Sequence, residues 1–198
     1  INKIMHKKFI LASSSKSRYN ILKNCGFRFT QKEPICDEEN IKKTLSNKKP
    51  AEFVKTLSYQ KAISINKIDK FFNYFIIGCD TVIYLDNVRF DKAKNIKEAA
   101  KKIRSLSGKT HKIVSGVTIC NKGKKIWQCT ETTKVKMRKL TNQQINKYLI
   151  NAGKDILSSV GCYQIELLGP NIIEDIKGDY FNVLGLPLFK LLKFVNQK

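Results

Sequence analysis

The longest regular pattern in the sequence is a pair of alternating runs in the second half of the chain. Residues 111–120 and 125–137 alternate in the manner of β-strands, and Asn121-Lys122-Gly123-Lys124 separates them. This arrangement predicts a long β-hairpin. Around it, apolar runs and helical spacings mix without strict alternation and without an internal repeat. We therefore predict an α/β fold with a long, mixed, curved sheet flanked by helices.

Shorter patterns predict the remaining elements. Strands are expected at 8–13, 27–30, 75–79, 81–85, 88–90 and 172–176. Helices are expected at 16–25, 51–65, 96–106, 141–150 and 187–195. Residues 33–47 are polar and are expected to form a loop with at most a helical turn.

The chain is strongly basic, with a formal net charge of +22. Only five of its 38 basic residues are Arg, the residue that nucleic-acid readers use for bidentate contacts. The many Lys are scattered together with Ile and Asn, which indicates a compositional bias. The charge would attract an anionic substrate, but it predicts no specific nucleic-acid partner.

Cysteine usage and apolar runs indicate a cytoplasmic protein. Six Cys occur without a C-x-x-C pair, which disfavours a zinc site and favours buried, reduced thiols. The runs at 71–77 and 184–189 are too short to span a bilayer, and no signal-peptide segment is visible. The length predicts one domain over residues 1–198.

An anion site is suggested where the first strand meets the first helix. Ser13 and Ser15 lie at this helix start, where free N–H groups and the helix dipole favour phosphate. Arg18, one turn later, could add a charged fork. The alternative is an ordinary serine cap of the helix.

Three further positions carry candidate chemistry. Asp37 and Glu38 could hold a divalent cation, or they belong to a solvated acidic loop. Asp80 is expected at the end of an apolar strand, where a carboxylate can bind metal or take a proton from water; the alternative is a turn cap. Lys92 could neutralise phosphate charge, or it is one of many surface lysines.

These clusters, in this order, resemble the Maf family of nucleotide pyrophosphatases over about residues 8–195. The opening Leu11 to Arg18 is similar to L-A-S-x-S-x-x-R, and Gly78 to Thr81 is similar to G-A-D-T. Further matching segments are Asp37-Glu38, Leu57 to Ala62 (L-A-x-x-K-A), Asp91-Lys92-Ala93 (G-K-P), Leu106 to His111 (L-S-G-x-x-H), Val160 to Tyr163 (A-G-A-Y) and Gly178 to Pro187.

The resemblance implies an inosine triphosphatase-like fold of two lobes with a central cleft. It implies hydrolysis of a nucleoside triphosphate to a monophosphate and pyrophosphate, with a divalent metal, Mg or Mn. It is compatible with a homodimer. The implied metal ligands are Asp37, Glu38 and Asp80, with Asp80 and Lys92 catalytic. The implied substrate-binding residues are Ser13, Ser15, Arg18, Lys61, Thr81 and Glu166.

Several positions depart from the family pattern. Lys16-Ser17 replaces Pro-Arg, Ala93 replaces the Pro that follows the motif Lys, and Gly169-Pro170 replaces G-x-G. Thr81 resembles the branch acting on dTTP and UTP, whereas Glu166 resembles the branch acting on 7-methyl-GTP. The base specificity is therefore open.

The alternative function is a catalytically decayed basic protein that binds nucleic acid or a septum-related partner. The retained Asp80, Lys61 and Lys92 argue against decay. No helix-turn-helix or stacking-aromatic pattern supports a nucleic-acid reader.

Overall fold

A computed structural model of the chain describes residues 7–197. Within this range helices flank a mixed sheet of seven strands. The strands are β1 (Phe9–Ala12), β2 (Thr30–Lys32), β3 (Phe75–Leu85), β4 (Val88–Phe90), β5 (Thr110–Asn121), β6 (Lys124–Met137) and β7 (Ile173–Lys177). The helices are α1 (Lys16–Asn24), α2 (Glu38–Thr44), α3 (Pro50–Asn66), α4 (Ile96–Leu106), α5 (Asn142–Ala152), α6 (Tyr180–Val183) and α7 (Leu188–Asn196).

The strand order is β2-β1-β3-β5-β6-β7, and β4 pairs with β3. β1 runs parallel to β2 and β3, whereas β4 and β7 are antiparallel to their partners. The predicted α/β class with a mixed sheet is confirmed. Residues 1–6 and 198 of the predicted single domain lie outside the described residues. The single domain and the cleft between lobes stay predictions.

The chain divides into two compact units. The first contains the described residues up to Thr81, Ser115–Glu131 and the residues from Gly185 onward. The second contains Val82–Val114 and Thr132–Leu184. Strands β3, β5 and β6 each contribute residues to both.

In the first unit, α3 lies directly against the sheet because two strand residues have no side chain. A Cβ atom at Gly78 of β3 would stand 2.0 Å from the carbonyl oxygen of Ser58 in α3. A Cβ atom at Gly116 of β5 would stand 2.5 Å from the carbonyl oxygen of Val54. Any larger residue would push helix and sheet apart. Close packing therefore fixes which α3 side chains meet β3.

In the second unit, apolar residues of α4 and α5 build the core with the strand residues of that unit. Ala99, Ile103 and Leu106 of α4 are fully buried, as their helical spacing predicts, and Ile145 and Leu149 of α5 join them. Thr141 begins α5 with a capping box: its hydroxyl accepts from the Gln144 N–H, and the Gln144 side chain accepts from the Thr141 N–H.

The structure corrects three predicted elements. The second strand covers Thr30–Lys32 instead of 27–30, because Thr30 is the residue that pairs with Ile10 of β1. The acidic loop contains a true helix, α2. The apolar segments 75–79 and 81–85 form one strand, β3, so Asp80 lies within a strand and the predicted strand end was wrong.

Two predictions about cysteines and apolar runs can also be compared with the structure. All six cysteines are free thiols, but only Cys79, Cys120 and Cys162 are buried as predicted; Cys25 is exposed, and Cys36 and Cys129 are half-buried. Across residues 7–197, the helices are too short or too polar to cross a bilayer.

Candidate active site

Strand β3 and helix α3 bring Asp80 and Lys61 together. Side chains two residues apart on a strand share a face, so Asp80 lies on the face of Gly78, the face that α3 covers. Lys61 Nζ stands 2.8 Å from Asp80 Oδ1, and both side chains are only 8% exposed. The sequence indicated both residues, and the packing of α3 explains why they meet.

Helix α2 adds a second carboxylate to this pair. Glu38 Oε2 lies 3.0 Å from Lys61 Nζ and 3.7 Å from Lys42 Nζ. Asp37 Oδ1 accepts a hydrogen bond from the Asn40 N–H at 3.0 Å, which caps the start of α2. The cap favours the helical turn that presents Glu38 to Lys61.

The charges of this cluster stabilise one another. Burial alone would lower the pKa of Lys61, but the negative charges of Asp80 and Glu38 outweigh it and raise the pKa. Burial alone would raise the pKa of Glu38, but the Lys61 ammonium outweighs it and lowers the pKa. Lys61 is therefore an ammonium, and Glu38 a carboxylate, at neutral pH.

One oxygen of the cluster is left over. Asp80 Oδ2 is buried and finds no hydrogen-bond partner among the described atoms. A buried carboxylate oxygen without a partner is costly, and a catalytic role or a water or ion from outside the protein is a common explanation. Asp80 Oδ2 can accept a proton from water or bind a hard cation.

The three predicted metal ligands do not form one group. Within the part of the chain that the structure describes, no three His, Cys, Asp or Glu side chains are grouped so that they could hold a metal ion. Asp37 caps α2, while Asp80 and Glu38 share Lys61. Two carboxylates remain, which suits a cation that takes most of its ligands from water and phosphate.

Arg18 is held by the protein on all sides. Its Nε donates to the carbonyl oxygen of Gly185 at 2.8 Å, and its Nη1 donates to Ser13 Oγ at 3.1 Å and to the Cys79 carbonyl at 3.2 Å. Its Nη2 donates to Thr81 Oγ1 at 3.0 Å. These four bonds occupy most of the five N–H donors of a guanidinium. The side chain thus ties α1 to β3 and to the Gly185 loop.

Thr81 lies at the centre of the same network. Its hydroxyl is 2.9 Å from Ser115 Oγ and donates to the Gly185 carbonyl at 3.3 Å. Gly185 has φ 93°, a region that favours glycine. Ser115 was not among the predicted site residues. Its position next to the apolar residues Ile113 and Val114 could have indicated a buried polar contact, since a fully buried hydroxyl needs a partner.

Ser15 caps the start of α1, and Ser13 supports the turn that precedes it. Ser15 Oγ accepts a hydrogen bond from the Arg18 N–H at 3.4 Å, and Ser13 Oγ accepts one from the Ser15 N–H at 3.2 Å. The capping interpretation is confirmed. The additional phosphate-binding role stays a prediction.

Lys92 and Glu166 belong to the second unit, and both are exposed. Lys92 follows β4 in a segment without regular structure, between exposed Asp91 and buried Ala93. Their roles toward a substrate stay predictions.

Comparison with known proteins gives a consistent result. The family described as "Maf-like protein" matches residues 8–198. The "7-methyl-GTP pyrophosphatase" of Bartonella quintana is 39% identical over 96% of this chain and 94% of its own length. The protein of the same name from Bartonella henselae is 38% identical over 92% and 91%. The "nucleoside triphosphate pyrophosphatase" of Paramagnetospirillum magneticum is 33% identical over 95% and 97%.

Proposed function

The chain belongs to the Maf family, and from this premise we propose that it hydrolyses nucleoside triphosphates to nucleoside monophosphate and pyrophosphate. The observation that carries the proposal is the buried Lys61–Asp80 pair with its unpartnered Asp80 Oδ2. Relatives of similar length carry pyrophosphatase names. None of these names favours the alternative of a nucleic-acid or septum-related binder.

Asp80 is the group that activates water in this proposal. Oδ1 is held by Lys61, so the carboxylate is fixed while Oδ2 can accept the proton. The water oxygen bonds to the α-phosphorus. The bond from that phosphorus to the bridging oxygen breaks, and pyrophosphate leaves with the bond electrons.

Lys61 stabilises negative charge during this step. Its ammonium is already fixed by two carboxylates, so little reorganisation is needed when phosphate charge develops nearby. Lys92 adds a second cation in the proposal, and Ser13 and Ser15 add helix-start donors.

A divalent cation, Mg or Mn, fits the donor set. A Glu38 carboxylate oxygen is a hard ligand, and one or two carboxylates plus substrate phosphates are a usual Mg²⁺ environment. Asp80 Oδ2 would be the second ligand only while it is not accepting the proton from water. When bound, the cation would neutralise phosphate charge. Asp37 would act mainly by capping α2, the helix that carries Glu38.

For Arg18 we propose a positioning role beside the predicted contact with phosphate. Its donors hold Ser13, the Cys79 carbonyl and Thr81 in place. We propose that Arg18 contributes chiefly by fixing these groups. Thr81 and Glu166 are the candidates for base recognition.

The proposal is tested with a panel of triphosphates that includes dTTP, UTP and 7-methyl-GTP. Pyrophosphate and orthophosphate are measured separately, with Mg²⁺, with Mn²⁺ and after treatment with a chelator. We expect pyrophosphate and a monophosphate from at least one substrate, and a loss of rate after chelation. Release of orthophosphate and a diphosphate would contradict the proposed bond cleavage.

Two further predictions concern the protein as a whole. A homodimer would appear in light scattering as twice the 22.7 kDa chain mass. We place the reaction in the cytoplasm, which localisation of the tagged full chain would test.

A further inference from the structure

Lys102 of α4 departs from the usual behaviour of a surface lysine. Its ammonium donates to the backbone carbonyl of Asp91 and, at 3.1 Å, to the backbone carbonyl of Val160. Most lysines direct the charged end of the side chain into water. Here burial lowers the pKa of Lys102, although Cys162, Asp91 and Glu98 oppose the change. The side chain thus joins two segments that are far apart in sequence.

The first of these segments contains Lys92. The carbonyl of Asp91 belongs to the same rigid peptide plane as the N–H of Lys92. When Lys102 holds that carbonyl, it also fixes the backbone on the N-terminal side of Lys92. Arg89 Nη2 adds an ion pair to Asp91 at 3.3 Å, on the exposed side of the same residue.

The segment is also fixed on the C-terminal side of Lys92. Ala93 is buried, with 6% exposure, and the Lys94 N–H donates to Glu98 Oε2 at 2.8 Å. Burial raises the pKa of the Cys162 thiol, and the Lys102 charge and a hydrogen bond from the Ala93 backbone act against this. The burial of Ala93 and the bond from Lys94 to Glu98 therefore restrain the backbone on the C-terminal side of Lys92.

These anchors occur where the sequence lacks a proline. Ala93 stands where the resembling motif has Pro, and Cys162 stands where it has Ala. Proline would fix its own φ through its ring, and Ala93 has no such restraint of its own. Side-chain and backbone contacts thus supply a restraint that the missing ring would otherwise give.

We infer that Lys102 is a positioning residue for Lys92, acting through the Asp91 carbonyl. The inference rests on the proposed role of Lys92 in triphosphate hydrolysis. Lys102 itself need not touch the substrate. Small displacements of a positioned charge have large effects on rate, so the anchor influences turnover without contributing a reacting group.

The test compares Lys102→Met with Lys101→Met. Methionine keeps most of the aliphatic stem but removes the ammonium, and Lys101 is an exposed neighbour on the same helix. We expect Lys102→Met to lower kcat about tenfold with little change in KM. Lys101→Met should behave as the unchanged protein.

A double-variant cycle separates positioning from general weakening of the fold. In a Lys92→Ala background there is no ammonium to position, so Lys102→Met should cause little further loss. An equal loss of kcat with and without Lys92 would overturn the inference. So would unchanged kcat in Lys102→Met.

Hydrogen exchange gives a readout that does not depend on activity. Lys102→Met should speed amide exchange in residues 92–94, whereas Lys101→Met should not. Unchanged exchange would overturn the anchoring step. If the unaltered protein cleaves no triphosphate, the proposed function fails, while the exchange result still decides whether Lys102 anchors the segment.

Discussion

Each unit of the molecule buries a pair of titratable side chains, Lys61 with Asp80 in the first and His111 with Tyr163 in the second, and the two pairs differ in charge. In the first unit, Lys61 and Asp80 are both charged and each is 8% exposed. In the second unit, His111 Nε2 lies 2.6 Å from the Tyr163 hydroxyl. Burial lowers the pKa of His111 to about 4 and raises the pKa of Tyr163, so this pair is neutral at pH 7.

The difference separates a reactive pair from a structural one. Burying two charges is expensive unless they compensate each other, and a neutral pair would hold two elements together at lower cost. The first unit nevertheless keeps its charges and leaves Asp80 Oδ2 unpartnered. The second unit also leaves one buried atom, His111 Nδ1, without a partner, but its pair carries no charge. We therefore expect the first pair to take part in catalysis and the second pair to stabilise the fold.

The largest expected effect is on activity at Asp80. Asp80→Asn keeps the size of the side chain, but an amide cannot take the proton from water. We expect pyrophosphate release to fall at least about a hundredfold. The melting temperature should fall by no more than a few degrees, because Glu38 still neutralises Lys61. Initial rates and thermal unfolding are measured together.

The control for this variant is Asp155→Asn, which changes an exposed carboxylate of the second unit. Rate and melting temperature should both stay unchanged. If the Asp80→Asn protein is active, Asp80 does not belong to the catalytic group. If the variant is unfolded, the pair of Lys61 and Asp80 serves to stabilise the fold.

The next effect concerns stability against pH in the second unit. The folded pKa of His111, about 4, lies below the unfolded value, about 6.5. The unfolded chain therefore binds more protons once the pH falls below about 6.5. The neutral, buried His111 therefore makes its full contribution to the free energy of unfolding above about pH 6.5. That contribution is lost as the pH falls toward 4. Between pH 7 and pH 5, His111 should remove about 2 kcal/mol from the free energy of unfolding.

Urea unfolding of the unaltered protein and of His111→Phe measures this prediction. The variant should lose less stability over the same interval. Glu38 does not interfere, because its lowered pKa removes stability only below about 4.3, the unfolded value of a glutamate. Equal pH dependence in both proteins would contradict a neutral, buried His111.

A smaller effect on rate is expected at Glu38. Glu38→Gln removes one of the two carboxylates on Lys61, but leaves the Asp80 contact. We expect activity to fall about tenfold, because one of the two charges that fix the Lys61 ammonium is lost. The neighbouring, exposed Glu39→Gln is the control and should retain full activity. If the two variants are equally active, Glu38 does not contribute to the reaction and the reactive group consists of Asp80 and Lys61.

The smallest effect is expected at Tyr163. Tyr163→Phe removes the partner of His111 Nε2, which should lower the free energy of unfolding by about 1 kcal/mol. The rate of pyrophosphate release should not change. Tyr180→Phe, at a residue 44% exposed, is the control. If Tyr163→Phe loses much of its rate without losing stability, the pair of His111 and Tyr163 takes part in catalysis.

Local signals in the sequence predicted the elements that depend on local chemistry. Pro50 marks the start of α3, and Asp86-Asn87 marks the turn between β3 and β4, with positive φ at both residues. Thr141 marks α5. These signals act through backbone preferences within a few residues, so no knowledge of distant partners was needed.

Asp80 shows why other features could not be predicted. An aspartate disfavours a strand, so the sequence suggested that the strand ends there. The strand continues because Lys61, 19 residues earlier, neutralises the carboxylate on the covered face. The bond from Arg18 to the Gly185 carbonyl could not be predicted for a similar reason, since the two residues are 167 positions apart. Such pairings follow only from the packed chain.

The bond from Arg18 to Gly185 has a consequence for protein synthesis. A ribosome makes the chain from its N-terminal side, and the second unit has all its residues once Leu184 has been added. The first unit still lacks its last segment at that moment. A nascent chain of this length already contains Asp80, Lys61, Glu38 and Lys92, but has no carbonyl to hold the Arg18 Nε. Arg18 is therefore synthesised 167 residues before the carbonyl that accepts from its Nε.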